Sequence, residues 1–375
     1  MNLAYIEKLI KAGYGLASPN RHQTYRALLQ KHRLENDRLQ HLVAQGAWVA
    51  LVNFRSLRWH DDRGRYAFLL VNALKMSGYQ LVFYPQFHFL SRLNKYKALL
   101  HALDFRVLEP READQVSMPP DSLTLYQSGS RKRVKLEWMS SGPVPREVVA
   151  MPYFMHPLMY QEPYVRPDPA RPTRRRVFFG GNTTPKDYQR KVLATRYGKI
   201  NRVAVLEHLM SQLDATEITL VTRAEQLQET FSDPRVVIVR TEHQPIVEAE
   251  WLAAVSQSDF FLACPGAHMP MCHNVIEAMR VGTIPLLQYP EYFHPPLEPG
   301  IHCLVYQDRE DLLRQTRMAL HMHRETIFQM KKNVIDYYEH YLHPPVWVNR
   351  LAQRPEAQVT LVVNACKLPE QMNRA

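Results

Sequence analysis

The chain has 375 residues, 46% of them hydrophobic, which is more than one core ordinarily serves and enough for two domains. No apolar run approaches the roughly 18–20 residues that cross a bilayer, and the four cysteines (Cys264, Cys272, Cys303, Cys366) are too few and too irregularly spaced for a disulfide framework. A formal net charge of +11 asks for an anionic partner, and without an RNP, zinc-finger or helix-turn-helix signature no nucleic acid is expected to be that partner.

The N-terminal stretch MNLAYIEKLIKAGYG carries charges inside its apolar part and no small-residue cleavage site. Neither a signal peptide nor an anchor is expected, and the chain reads as cytoplasmic, with a basic surface suited to peripheral contact with the anionic inner face of a membrane. The first 45 residues read as a polar helical lead-in, with Leu28, Leu29, Leu34, Leu39 and Leu42 at roughly helical spacing. Trp48–Phe54 is a strand, the loop RSLRWHDDRGR follows, Tyr66–Met76 is apolar on a helical period, Gly78 stops it, and Gln80–Tyr84 is the next strand. Short strands at Phe105–Leu108, Leu123–Tyr126 and Val134–Trp138 continue the series.

Gln161–Arg176 is rich in proline and arginine, lacks apolar periodicity and reads as a linker; its arginines, like Arg131–Lys135, read as solvated charge. A second series then runs through Val177–Asn182 (VFFGGN), a helix over Val203–Leu213, strands at Glu217–Thr222 and Val236–Val239, a helix over Val247–Val255, and a buried strand Asp259–Ala263. The loop CPGAHMPM, a helix over Cys272–Val281, strands at Thr283–Gln288 and His302–Tyr306, and a mostly helical Asp308–Tyr341 complete it; Pro344-Pro345 stop the last helix before a short tail. The expected fold is α/β with two doubly wound Rossmann-like domains facing a cleft: 1–165 for the acceptor, 166–345 for the donor, and 346–375 a C-terminal tail.

Asp259–Phe293 carries most of the chemical information. Gly266 lets backbone approach a ligand closely, and the helix start near Pro270–Cys272 presents unpaired N–H groups and a positive dipole end to phosphate. His273 and Glu277, four apart, share a helix face, as do Asn274 and Glu277. A carboxylate one turn in can accept from ribose hydroxyls; a solvated surface glutamate gives the same spacing.

Cys264-Pro265-Gly266, Glu277-Ala278-Met279-Arg280-Val281-Gly282 and Ile284-Pro285 resemble the nucleotide-sugar signature of GT-B glycosyltransferases, most closely the C-terminal half of the exostosin-like family. The resemblance spans about Val177–Tyr341; the N-terminal half is similar in architecture only. It implies a ribose contact for Glu277 and diphosphate contacts for Gly266, His268, Cys272, His273 and Asn274. It also places the Gly180-Gly181-Asn182 loop against the cleft, with a basic residue, Arg190 or Arg202, neutralising the leaving diphosphate. The loop His-Met-Pro-Met differs from the family's usual Tyr-, Ser- or Arg-rich stretch, which leaves the donor's identity open.

No Asp-x-Asp occurs anywhere in the chain, so transfer without a metal or other cofactor is expected, with a UDP- or GDP-sugar as co-substrate. Cys264, His268, Cys272 and His273 have zinc-ligand chemistry but no usual zinc spacing. In the loop after the first strand, His60, Asp61 and Asp62 are candidates for the base that takes the acceptor proton, and Arg63 and Arg65 for an anionic acceptor; a polar surface loop with a helix cap reads equally well. The aromatics of Tyr153–Tyr164 and Tyr289–Phe293 read as packing more than as stacking on a base or sugar. The function expected is glycosyl transfer from a nucleotide sugar to a glycan or lipid-linked acceptor. The alternatives are a nucleotide-sugar epimerase of the same shape and a non-catalytic protein holding anionic glycan or nucleic acid.

Overall fold

Strands separated by crossover segments pair in parallel, and in the computed structural model every ladder among the described residues is parallel. The structure describes residues 14, 16–54, 57–92, 95–108, 123–126, 134–138, 148–188, 191–227, 229, 234–354 and 359–363. The chain divides into two compact units. One holds the residues up to Met151 together with Pro344–Val363; the other holds Pro152–His343.

In the first unit the strands are β1 (Arg33–Leu34), β2 (Val49–Val52), β3 (Gln80–Phe83), β4 (Phe105–Leu108), β5 (Leu123–Tyr126), β6 (Val134–Trp138), β7 (Val148–Ala150) and, from the far end of the chain, β14 (Val359–Val363). Their order is β1-β4-β3-β2-β5-β6-β14-β7. All four residues of β2 are buried, as a parallel strand covered on both faces requires. Tyr66–Leu74 of the helix Arg65–Met76 are buried too, and the helix Pro344–Ala352 packs on that helix. The lead-in helices Pro19–His32 and Asn36–Ala44 place Leu28 and Leu39 in the core, and Leu34, between them, in β1. The order reverses at β2/β5, so the loop carrying Asp61 and Asp62 leaves the sheet at its topological switch point.

In the second unit the strands are β8 (Arg175–Gly181), β9 (Ile218–Leu220), β10 (Val236–Arg240), β11 (Ser258–Leu262), β12 (Ile284–Leu287) and β13 (Leu304–Val305), in the order β13-β12-β11-β8-β10-β9. From β8 the chain goes to the edge strand β9, returns to β10 beside β8, and then crosses to β11 on the other side. The switch point therefore lies between the carboxyl ends of β8 and β11, where open α/β sheets hold ligands.

Several local readings are corrected. Arg175 and Arg176 are buried members of β8, not solvated linker charge: Arg175 reaches the Ser258 hydroxyl and the carbonyls of Leu227 and Ala254, and Arg176 pairs with Asp259 at 3.2 Å. The rest of the stretch read as a linker belongs to the second unit: Met155 and Met159, just before it, are in that unit's core, and Arg280 donates to the carbonyls of Glu162 and Pro163 at 3.2 and 3.1 Å; proline richness marks an irregular path here, not a free one. The helical run does end before Pro344, but the two prolines open a new helix, because a fixed φ suits the first helical turn. What reads as a tail at 346–375 instead contributes that helix and β14, which lies between β6 and β7. The contacts thus divide the chain at Met151/Pro152 rather than at 165/166.

Candidate functional site

Gly180, Gly181 and Asn182 end β8, and three contacts tie that end to two helix starts. Asn274 Nδ2 donates to the Gly180 carbonyl at 3.2 Å, and Arg202 Nη1 donates to the Asn182 carbonyl at 3.0 Å. Arg202 Nη2 lies 3.6 Å from Cys272 Sγ, whose thiol approaches Asn274 Oδ1 at 2.8 Å. Asn201 caps the helix Arg202–Gln212 through the Ala204 N–H, which fixes Arg202 at its first turn. Asn182 itself is exposed, and its side chain is spent on the Thr184 N–H and Asp187. The loop after β11 closes on itself through the Gly266 N–H to the Pro270 carbonyl at 3.2 Å. A Cβ on Gly266 would sit 3.0 Å from the Met269 carbonyl oxygen.

Glu277 is the one carboxylate of the helix His273–Arg280, and it is 0% exposed. Its Oε1 accepts from the His156 backbone N–H and from His273 Nδ1, both at 2.9 Å; its Oε2 accepts the Trp251 indole N–H at 2.6 Å. Burial alone would raise this carboxyl, but His273 and the surrounding donors outweigh it and hold the group below its ordinary value. The Trp251 ring fills the space in front of Gly180, where a Cβ would come within 2.8 Å of it. The ring of His156 stands beside that of His273, with centroids 5.1 Å apart.

Arg202 is 5% exposed and flanked by the rings of Tyr188 and Phe179 at 5.1 and 5.7 Å. Burial pulls its guanidinium down, yet the neighbouring thiols and Tyr188 outweigh that and raise it. Burial would likewise raise Cys272, but His273, Arg202 and the Asn274 N–H together lower it, while burial pushes Cys264 up to about 12. One thiol at the helix start is therefore poised towards thiolate, and the other, eight residues earlier in the chain, is inert.

The structure brings together Gly180, Gly181, Asn182, Arg202, Cys272, His273, Asn274 and Glu277; His268 lies exposed on the same loop as Gly266, and Arg190 lies outside the described residues. Two participants carry no advance signal. His156 acts through its backbone N–H, and Trp251 comes from a different helix, so neither spacing nor residue pattern connects them to Glu277. Tyr289, Tyr292 and Phe293 are core residues, and Tyr153, Tyr160 and Tyr164 pack against the same core. Among the described residues no group of three or more His, Cys, Asp or Glu is placed to hold a metal ion, and no helix is long and apolar enough to cross a membrane.

In the first unit, Asp62 and Arg63 adopt left-handed backbone (φ 47° and 56°) and lead into Gly64 at φ 80°. A Cβ on Gly64 would run into the Lys97 side chain at Cγ, so this turn needs glycine both for its dihedral and for space. Asp62 is exposed and pairs with Arg65 at 3.1 Å. Asp61 is half-buried, and the side chain of His60 lies outside the described residues.

The sequence matches no family model and no curated protein. Among solved structures, an alpha-glucosyltransferase in complex with UDP and a 13-mer DNA containing a HMU base aligns with 79% of this chain and 96% of its own, at 10% identity and a TM-score of 0.33. Spinosyn rhamnosyltransferase aligns with 88% of this chain and 80% of its own, at 16% identity and a TM-score of 0.28. Likeness at this level decides neither substrate nor chemistry.

Proposed function

We propose that this chain is a glycosyltransferase of the GT-B type, moving a sugar from a nucleoside-diphosphate sugar to a glycan or lipid-linked acceptor. One observation carries the reading. At the switch point of the second sheet, a glycine-ended strand, a buried arginine and the start of the helix His273–Arg280 are tied together by Asn274, Arg202 and Cys272. That is the arrangement in which helix N–H groups and their dipole can receive a diphosphate. The likeness of Cys264–Gly266 and Glu277–Gly282 to the exostosin-like signature supports the same reading from the sequence.

In the reaction the acceptor oxygen bonds to the anomeric carbon while that carbon's bond to the phosphate oxygen breaks. The electron pair leaves on the nucleoside diphosphate, and the acceptor proton passes to a base, for which Asp61, Asp62 and His60 are the candidates. Catalysis would consist chiefly of stabilising charge on the leaving group. Transfer without a metal is part of the proposal, on the ground that the sequence has no Asp-x-Asp.

A thermal-shift series with UDP, GDP, CMP, ADP and their sugars, with and without EDTA, tests it. A ligand at a hundred times its Kd should stabilise the fold by about 2.7 kcal/mol, and a shift with one nucleotide that survives EDTA is the expected result. No shift with any of them would remove the donor site and leave the anionic-glycan reading in front.

A further inference from the structure

Resting on the glycosyl-transfer reading, we propose that Glu277 is the positioning residue of His273 rather than a ribose contact, and that His273 is the side chain that meets the donor's diphosphate. A ribose contact needs a carboxylate that can be reached. Glu277 is 0% exposed, and three protein donors already occupy it: the His156 N–H and His273 on Oε1, and Trp251 on Oε2. Two ribose hydroxyls bonding to it would have to evict some of these donors and leave them buried without partners, which costs more than the new bonds return.

His273 is 29% exposed and sits on the first residue of its helix. Because the carboxylate can only accept, Nδ1 of His273 donates to it, and any proton or hydrogen bond the ring offers a ligand is offered from Nε2. The ring also stands at the start of its helix, where the dipole favours an anion. The groups around the ring suit a donor to phosphate, with Glu277 on its own helix, His156 from the preceding connection and Cys272 one residue before it. Arg202, by contrast, turns its terminal nitrogens inward to the Asn182 carbonyl and Cys272, so it braces the two loops instead of facing the leaving group. In the transfer step, His273 Nε2–H would stabilise the charge that arrives on the diphosphate when the bond from the anomeric carbon breaks.

Titration calorimetry with UDP against uridine, and GDP against guanosine, separates the two roles of Glu277. In the wild type the diphosphate adds affinity over the nucleoside. His273→Gln should reduce that added affinity about tenfold, the loss of one charge-assisted hydrogen bond, and leave nucleoside affinity unchanged. Glu277→Gln should do the same, and the double variant should be no worse than His273→Gln alone. If Glu277→Gln weakens nucleoside and diphosphate equally, Glu277 touches the ribose and the proposal is overturned. If that variant does not fold, His273→Gln decides alone, and an unchanged advantage of diphosphate over nucleoside overturns the proposal. Absence of nucleotide binding in the wild type is a distinct result: it removes the glycosyl-transfer reading, and this inference with it.

Discussion

Trp251 donates its indole N–H to Oε2 of Glu277 at 2.6 Å, across 26 residues of sequence and from one helix to another. The bond exists because Gly180 leaves room for the indole ring, which stands where a Cβ would otherwise be. Gly180→Ala should therefore displace Trp251 and loosen Glu277 without touching it. Trp251→Phe removes only the donor, and a hydrogen bond to a buried charge is worth about 1.5–3 kcal/mol. Both variants should lower the urea midpoint, Gly180→Ala at least as much as Trp251→Phe; a Gly180→Ala protein of wild-type stability would mean that the ring relocates freely.

Acid should find Glu277. Its folded carboxyl lies below the ordinary value near 4.5, so the stability it contributes is fully present above that value and is lost as the pH falls through the folded pKa. Denaturation of the wild type from pH 6 downwards should show this slope, and Glu277→Gln should flatten it relative to wild type.

The thiols should separate in reactivity. Cys272 is lowered by its neighbours, whereas Cys264 and Cys303 are pushed up to about 12 by burial. Iodoacetamide at pH 7.5 in the native state should label Cys272 before Cys264 and Cys303, as read by peptide mass spectrometry. Arg202→Met should slow that labelling, since the guanidinium 3.6 Å from Sγ is one of the groups favouring thiolate. Faster labelling of Cys264 would contradict the assignment.

Asp259 anchors the opposite end of β11. It is 1% exposed and pairs with Arg176 at 3.2 Å, Arg324 at 2.9 Å and Lys331 at 2.8 Å. Asp259→Ala leaves Arg176 and Lys331 buried without their counter-ion and should destabilise the protein by about 3–5 kcal/mol. Nucleotide affinity, measured on whatever fraction stays folded, should not change.

On the acceptor side, a general base contributes about a hundredfold or more to the rate. If Asp61 or Asp62 has that role, its Asn variant should lose turnover on that scale while the Kd for nucleotide holds. Asp62→Gly additionally relieves a left-handed backbone and should be at least as stable as wild type, so a loss of turnover there cannot be ascribed to unfolding.

Apolar periodicity and glycine or proline punctuation were enough to place β2, β3, β8, β10, β11 and β12 and the helix His273–Arg280 within a residue or two, because those signals are local. The resemblance to the GT-B signature, added to the spacing at the helix start, named Gly180–Asn182 and Cys272–Glu277 as site candidates, since short motifs at strand ends and helix starts have local signatures. Burial and partnership were not legible in the same way. Arg175 and Arg176 read as solvated charge because a run of arginines looks alike whether it meets water or the carbonyls at the base of a sheet. Val359–Val363 read as tail because the strands beside it, β6 and β7, lie more than 200 residues earlier in the chain. Whether Glu277 faces a ligand or holds other side chains depends on His156 and Trp251, which reach it from segments 121 and 26 residues away. Local sequence determines which backbone forms and which chemistry it carries; only tertiary packing decides which of those groups spend their hydrogen bonds inside the protein.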